Sequence, residues 1–424
     1  MKPIGHPRMA PKHNIALAND RAMPRASLAV DNLRAFVVLL VLSFHSVLAY
    51  LSFLPPEPVG FDTPPYLWSA IPIIDHQRWL GFDLFCAWQD VFLMSLFFFL
   101  SGLFVWRSLA RKGIGVFLYE RILRLGAPLA LVVAFLMPIA LYPTYLQTAT
   151  DPGLAAYWRH WLALPFWPCG PMWFLLLLLI ADFAVAGLHR LAPGFGRGLI
   201  RLSSMVAAHP AKSLAFFAIA SVFAYVPMAL AFGPSAWFAE GPLAFQLSRP
   251  VHYALYFSAG MVIGAAGIER DLLAPEGRLA RNWAVWLSAG LGFLLLWMGI
   301  TGLTMRGGGS SSPALQILAD IGFVLACLAN CLCVLAIFLR FAAKRLPAFA
   351  GLRSSAYGMY LVHYVFVVWL QFALLAIALP AIIKGAIVFG ATLLLSLGTV
   401  AALRRVRAVA QIIGAGSARG VAAS

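Results

Sequence analysis

The stretch "DNLRAFVVLLVLSFHSVLAY" (residues 31–50) combines a long apolar run with two charged residues and one imidazole. Residues 36–42 carry only hydrocarbon side chains, whereas Asp31 and Arg34 precede them and His45 follows within the same segment. About 20 mostly apolar residues suffice for an α-helix to cross the hydrocarbon core of a bilayer. Because backbone polar groups in lipid must pair within their own segment, this stretch predicts a membrane-spanning helix.

Similar apolar runs recur along the whole chain of 424 residues, of which 62% are hydrophobic and only 11% charged. A soluble domain carries about 25% charged residues. We therefore predict an all-α fold, a polytopic membrane helix bundle with about ten transmembrane helices embedded in a lipid bilayer. The predicted spans are 30–53, 84–106, 126–146, 171–188, 214–232, 251–267, 283–303, 314–339, 355–378 and 382–403.

The basic residues are distributed unevenly between the predicted loops. A net charge of +16 could indicate nucleic acid, but the charges lie in short loops without any nucleic-acid motif, so no nucleic-acid partner is expected. With the N-terminus inside, 26 of the 31 basic residues fall in cytoplasmic segments. Positive charge resists translocation, so both termini are predicted to be cytoplasmic. The predicted organisation is a basic cytoplasmic tail (1–29), a membrane domain (30–403) and a second cytoplasmic tail (404–424).

The polar residues of the first span share one helix face. Arg34 and His45 are eleven residues apart, which places them within ~20° of each other and ~16 Å apart along the axis. Asp31 falls within ~40° of the same stripe. Ionisable groups in a span cost a few kcal/mol unless they face protein or water, so the stripe is predicted to face the bundle interior.

Two interpretations of this stripe stay open. The three groups could hydrogen-bond neighbouring helices together, or they could form a site. In a site, His45 is the candidate chemical group because its proton equilibrium lies near neutrality. We take His45 and Asp31 as the candidate catalytic residues, and no metal site is predicted.

Other polar residues interrupt later spans. Arg121 and Arg124, one helical turn apart, can present two guanidinium groups suited to phosphate. The alternative for these two arginines is the excess of positive charge typical of cytoplasmic loops. The possible supporting residues, for which a structural packing role stays open, are Ser101, Trp173, Tyr360 and His363, with His363 at a depth similar to that of His45. Gly260 and Gly264 form a small-xxx-small pair that indicates close helix packing.

The outer loops are rich in aromatic residues and proline. The segments at residues 53–82 and 157–174 contain several Trp and Tyr residues that are predicted to lie at the outer membrane interface. Anchoring at the interface explains most of these residues. A carbohydrate platform is the functional alternative.

Four segments together resemble the acyltransferase 3 family of multispanning membrane proteins. They are "DNLRAFVVLLVLSFH" with Arg34 and His45, "SLFFFLSGLF" (95–104), "YERILRLGAPL" (119–129) and "YGMYLVHYVF" (357–366). Many members of that family carry a soluble extension or a Glu-containing motif after the central Trp-Phe pair, whereas "MWFLLLLLIADF" (172–183) offers only Asp182.

This resemblance implies an O-acyltransferase of the bacterial inner membrane. The enzyme would move an acyl group, commonly acetyl or succinyl, from cytoplasmic acyl-CoA to a hydroxyl of an extracytoplasmic carbohydrate. The family's catalytic histidine corresponds to His45, and its basic residues, which would hold acyl-CoA, to Arg34, Arg121 and Arg124. Acyl-CoA would be a co-substrate with no bound cofactor. Direct transfer and a transient acyl-histidine both stay open, as does the oligomeric state.

Two other functions stay open. Buried His, Asp and Arg residues would also suit the proton relay of a proton-coupled transporter of a small solute. Against this, the two halves show no evident repeat and no matched pair of broken helices. The third possibility is a non-catalytic partner in the assembly of an envelope glycan.

Overall fold

The structure, a computed structural model, describes residues 24–269, 271–306 and 312–406. Over these residues the all-α prediction is confirmed, with nine helical runs long and apolar enough to cross a membrane. Residues 1–23 and 407–424, most of the two predicted tails, lie outside the described residues, and the orientation of the chain in the membrane stays a prediction. The helices are α1 (Arg25–Val47), α2 (Leu80–Gly102), α3 (Val105–Lys112), α4 (Ile114–Leu146), α5 (Leu154–Ala163), α6 (Trp173–Leu191), α7 (Phe195–Ala208), α8 (Pro210–Phe232), α9 (Pro250–Ala265), α10 (Arg278–Arg281), α11 (Trp283–Arg306), α12 (Pro313–Phe341), α13 (Pro347–Ala373) and α14 (Ala381–Leu403).

Three predicted spans differ most from the observed helices. The third, 126–146, is only the later part of α4, which begins at Ile114. The sixth predicted span, 251–267, is α9, which has only 16 residues. At 1.5 Å per residue α9 is ~24 Å long, shorter than the ~30 Å hydrocarbon core. The ninth span begins at Pro347 rather than at residue 355, because proline is well suited to the first position of a helix.

Helices α2 and α9 approach each other so closely that only glycine fits between them. A Cβ atom added at Gly260 would lie 2.1 Å from the carbonyl oxygen of Phe99, and one at Gly264 would lie 1.9 Å from that of Leu103. These contacts are with backbone, which cannot move aside as a side chain could. The predicted small-xxx-small packing is therefore confirmed, and it holds the short helix α9 inside the bundle.

Burial separates the central helices from the peripheral ones. In the most apolar part of each helix, 67% of α1 residues and 78% of α12 residues are buried, against 11% of α11 and 22% of α14. A helix that is apolar all round and little buried faces lipid. Helix α1 contacts α2, α12, α13 and α14, so the stripe that carries Arg34 and His45 lies within the bundle as predicted.

A short β-hairpin, which the sequence did not predict, joins α8 to α9. Strands β1 (Trp237–Glu240) and β2 (Leu243–Gln246) pair antiparallel, with Trp237 opposite Gln246. The hairpin turn at Gly241 also pairs with Phe166, in the segment that links α5 to α6. The connections after α5 and after α8 therefore lie at the same end of the bundle.

Candidate functional site

A cavity of about 640 Å³ lies between α1, α2, α4, α6 and α13, and we call it the arginine cavity. Its wall combines three charged side chains with hydroxyl groups near its mouth and aliphatic and aromatic groups deeper inside. The lining residues are Asp31, Arg34, Val38, Phe97, Leu100, Ser101, Leu125, Phe174, Leu175, Leu178, Ala350, Arg353, Ser354, Ala356, Tyr357 and Tyr360. Two cations and one anion thus give the mouth a positive balance, and the apolar depth suits a long organic chain.

The guanidinium of Arg34 is held in place by three contacts. It donates a hydrogen bond to the carbonyl of Leu100 at 3.2 Å and lies 3.6 Å from the carboxylate of Asp31. Its central carbon also lies 4.2 Å from the ring centroid of Phe104, an arrangement in which a cation is attracted by the ring face. Arg34 is therefore oriented into the cavity before any ligand arrives.

The structure does not bring Asp31 and His45 together. They are fourteen residues apart on a continuous helix, which separates them by ~21 Å along its axis. Asp31 instead pairs with Arg34 one turn away. Asp31 therefore lies at the mouth of the arginine cavity and does not contact the imidazole of His45.

The two arginines of α4 have different surroundings. Arg121 forms an ion pair at 3.3 Å with Asp182, whose side chain is completely buried, and its charge also acts on that of Arg34. Arg124 is exposed, and only its carbonyl has a described partner, the hydroxyl of Tyr357. The chain forms a π-helical turn from Ile122 to Gly126, in which each residue advances less far round the axis than in an α-helix, so Arg124 departs from α-helical spacing relative to Arg121. Arg121 is thus held by a buried carboxylate while Arg124 is exposed, and the shared phosphate-binding role of the two arginines stays a prediction.

His45 has a defined tautomer. Its Nδ1 atom lies 2.8 Å from the carbonyl oxygen of Val41. A carbonyl oxygen can only accept, so Nδ1 carries the proton and Nε2 keeps the lone pair. His45 is partly exposed, unlike most of α1 around it. The imidazole is therefore fixed by its own helix, and in its neutral form Nε2 is the available nitrogen.

A second histidine packs against the first. The ring centroids of His45 and His363 are 5.2 Å apart, and Tyr364 meets His45 edge-on at 5.5 Å. The Nδ1 atom of His363 donates to the carbonyl of Tyr360 at 2.7 Å, and within the described part of the chain its buried Nε2 has no hydrogen-bond partner. The structure thus confirms that the two histidines lie at similar depth, and Gln371 fixes their relation by donating to the carbonyl of His45 at 2.9 Å.

The arginine cavity stops short of His45. On α1 its last lining residue is Val38, seven residues and ~10.5 Å before His45 on the same helix face. On α13 it ends at Tyr360, one turn before His363. The Tyr360 hydroxyl donates to the carbonyl of Pro171 at 2.6 Å and so closes the cavity against the helix opposite. Arg34 and His45 therefore share a face, but not one continuous opening.

Of the remaining predicted residues, Ser101 lines the cavity and Trp173 does not. The ring of Trp173 is stacked on Tyr253 at 5.9 Å and meets Trp237 edge-on, whereas its neighbour Phe174 faces the cavity. Trp173 therefore packs against Tyr253 and Trp237 outside the cavity and does not line it.

Sequence reasoning missed Arg353 and Tyr357. With Tyr360 they follow one another at intervals of four and three residues, which marks a single helix face in contact with the cavity. That spacing was visible in the sequence. Arg353 does not join this face in the sequence-based prediction because the predicted span begins at residue 355, which makes Arg353 a loop charge. Over the described residues, no group of three or more His, Cys, Asp or Glu residues is arranged to hold a metal ion.

Comparison with known proteins gives one match. A family model described as "Acyltransferase domain", that of the acyltransferase 3 family, matches residues 27–401, which is nearly the whole chain. Neither the curated proteins nor the solved structures contain a match.

Proposed function

The chain belongs to the acyltransferase 3 family and is a membrane acyltransferase, and from this premise we propose its donor and acceptor. The donor is cytoplasmic acyl-CoA that carries an acetyl or succinyl group. The acceptor is a hydroxyl of a carbohydrate on the other side of a bacterial inner membrane. The observation that carries the proposal is the arginine cavity, which ends about one helical turn before His363 and about two turns before His45.

The arginine cavity has the chemistry of an acyl-CoA site. Arg34 and Arg353 stand at its mouth, where guanidinium groups can pair with the nucleotide phosphates. Arg121 adds positive charge nearby, restrained by Asp182. The extended pantetheine arm would then follow the apolar wall past Val38 towards Tyr360. The predicted cytoplasmic position of this end, based on the distribution of basic residues, places it on the side where acyl-CoA is found.

His45 would act as the general base. Its Nε2 atom takes the proton of the acceptor hydroxyl while the hydroxyl oxygen attacks the thioester carbonyl carbon. The C–S bond breaks, the acyl ester forms, and the departing CoA thiolate recovers the proton from the imidazolium. Ser101 lies at the level of Arg34, which donates to the carbonyl of the neighbouring Leu100, so its hydroxyl would contact the nucleotide end of the donor.

Tyr360 would separate the acyl-CoA site in the arginine cavity from the histidines. Its hydrogen bond to Pro171 closes the passage between the cavity and the histidines. The thioester can reach His45 only if this side chain moves, so binding of the acyl chain and opening of the passage would be linked. A closed passage also keeps water away from a reactive thioester until the donor is in place.

The test uses purified protein in lipid nanodiscs with labelled acetyl-CoA or succinyl-CoA, and it measures CoA release and acyl transfer to an envelope glycan fraction. Loss of a general base should reduce the rate by about 10²- to 10⁴-fold in a His45→Asn variant. The exposed His209 provides the matched control, His209→Asn, which should keep the wild-type rate. A His45→Asn protein with full transfer would refute the role of the imidazole. A wild-type protein that releases no CoA but moves a solute would favour the transporter.

A further inference from the structure

A second cavity of about 450 Å³ lies at the opposite end of α1 from the mouth of the arginine cavity, and we call it the loop pocket. It is formed by the connection between α1 and α2 and by α5. Its lining residues are Asp62, Tyr66, Arg159, His160, Ala163 and Leu164. No residue of the arginine cavity contributes to it.

Hydrogen bonds fix the loop pocket to the end of the bundle nearer His45. Helix α1 ends at Val47, two residues after His45, and the chain returns beside it where the amide of Asp75 donates to the carbonyl of Ala49 at 3.0 Å. Gln147, which follows α4, donates to the carbonyl of Pro72 at 2.7 Å and accepts from the amide of Ile74 at 3.1 Å. The loops that form the pocket thus belong to the same rigid end of the molecule.

Aromatic rings form a rigid wall around the loop pocket. Tyr66 meets Phe166 at 5.2 Å between ring centroids, and Trp68 is stacked on Phe61 at 4.5 Å. The ring of His160 lies 5.4 Å from that of Tyr145. Large rings with few rotatable bonds offer a flat apolar face at a low entropic cost, which suits the C–H face of a sugar ring.

The backbone of Tyr66 is held in an unusual conformation. Its φ of 54° and ψ of 48° lie in the left-handed region that residues other than glycine, asparagine and aspartate seldom adopt. Hydrogen bonds on both sides hold this conformation, from its own amide to Thr63 at 3.0 Å and from the amide of Ser69 to its carbonyl at 2.9 Å. Residues restrained in this way are concentrated at ligand sites, and here the restraint orients the tyrosine that lines the pocket.

The charges of the loop pocket favour a neutral ligand with many hydroxyl groups. Asp62 and His160 are in contact, with Oδ2 and Nδ1 2.5 Å apart, and Arg159 is the third polar group. The carboxylate of Asp62 offsets the guanidinium of Arg159, so the pocket lacks the unopposed cluster of cations that marks a site for an anion. A carboxylate accepts and a guanidinium donates two parallel hydrogen bonds, which matches pairs of adjacent sugar hydroxyls.

We propose that the loop pocket, through Asp62, Tyr66, Arg159 and His160, is a saccharide-binding subsite that positions the acceptor for acyl transfer. This inference rests on the proposed function. A sugar unit held in the pocket would anchor the glycan at the His45 end of the bundle, while the reacting hydroxyl of a neighbouring unit enters towards the imidazole.

The test compares Arg159→Gln and Asp62→Asn with wild-type protein in membranes, using unacylated glycan isolated from cells that lack the gene. Each variant should raise KM for the glycan about tenfold and leave kcat and the affinity for acyl-CoA within about twofold, because only acceptor hydrogen bonds are lost. The exposed Arg306 lines neither cavity, so Arg306→Gln is the matched control and should behave as wild type. Unchanged KM values in both pocket variants would overturn the subsite.

A binding measurement separates failure of this inference from failure of the proposed function. Purified wild-type protein is titrated with the same glycan fraction in the absence of acyl-CoA, and Arg159→Gln is titrated in parallel. Binding that weakens about tenfold in the variant supports the subsite even if no acyl-CoA is turned over. Equal binding by both proteins, or no binding to wild type, overturns it whatever the donor assay shows.

Discussion

Replacement of Lys384 by methionine should destabilise the protein strongly. Lys384 in α14 and Asp75 in the connection between α1 and α2 form an ion pair at 2.6 Å. Their side chains are only 1% and 2% exposed, so neither charge has solvent to replace its partner. The Lys384→Met change keeps most of the side-chain volume and leaves the carboxylate of Asp75 buried without its cation.

The expected magnitude follows from the geometry of this pair. At 2.6 Å and an effective dielectric constant of about 20, the attraction between two unit charges is about 6 kcal/mol. Desolvation of both groups offsets part of this attraction, but removal of a single partner from a buried pair typically costs about 3–5 kcal/mol. The equilibrium constant for unfolding should therefore rise by roughly 10²- to 10⁴-fold.

Reversible unfolding in mixed micelles, followed by tryptophan fluorescence, measures this free energy. The control is Lys212→Met, the same replacement at an exposed position, which should change stability by less than about 0.5 kcal/mol. The double variant Lys384→Met/Asp75→Asn should recover at least half of the loss. Asparagine removes the unpaired charge and retains an oxygen for the amide of Gln77, which donates to Asp75 at 2.8 Å. The reasoning is refuted if Lys384→Met and Lys212→Met unfold alike.

Three further predictions concern the bundle and the arginine cavity. Gly264→Ala should lower the free energy of unfolding by about 1–3 kcal/mol, because the added Cβ would clash with the backbone of Leu103. The control Gly292→Ala, where a Cβ has open space, should not lower it. Equal free energies of unfolding for the two variants would contradict the close packing of α2 and α9. In the CoA-release assay, Arg353→Gln should raise the KM for acyl-CoA about tenfold, because Arg353 lines the arginine cavity. Arg124→Gln should have only a small effect on this KM. A larger rise in KM for Arg124→Gln than for Arg353→Gln would show that the wrong arginine was assigned to the phosphates. Asp182→Asn should lower the free energy of unfolding by about 1–2 kcal/mol in the micelle assay, less than Lys384→Met does. The side chain of Arg121 is 22% exposed, so solvent screens its charge when the partner is lost. A decrease as large as that of Lys384→Met would exclude such screening.

The helices were predictable because their signal is local. Apolar runs long enough to cross a membrane identified all nine long helices, and the short α9 was identified as a span by its apolar residues. Helical periodicity was also enough to place Arg34 and His45 on one face and His363 at a similar depth, since all of these relations depend on the rise and turn of single helices.

Parts of the candidate site were not predictable, because they depend on contacts between distant segments. The pairing of Arg121 with Asp182 could not be read from either segment, and the π-helical turn that separates Arg121 from Arg124 follows no spacing rule used for α-helices. Arg353 was missed through an error of eight residues in the start of one helix. Boundaries are weakly encoded because a few residues at a helix end change the free energy little.

By itself the amino-acid sequence determined that this protein is a bundle of apolar helices with an arginine and a histidine on one face of the first. Hydrophobicity and the 3.6-residue period are properties of each segment and need no partner. Only the tertiary structure decided that the arginine cavity ends at Tyr360, short of His45, and that a second pocket is formed where the loop at Asp62 meets α5. Cavities are the spaces left between packed side chains, so their extent depends on how residues far apart in the chain fit together.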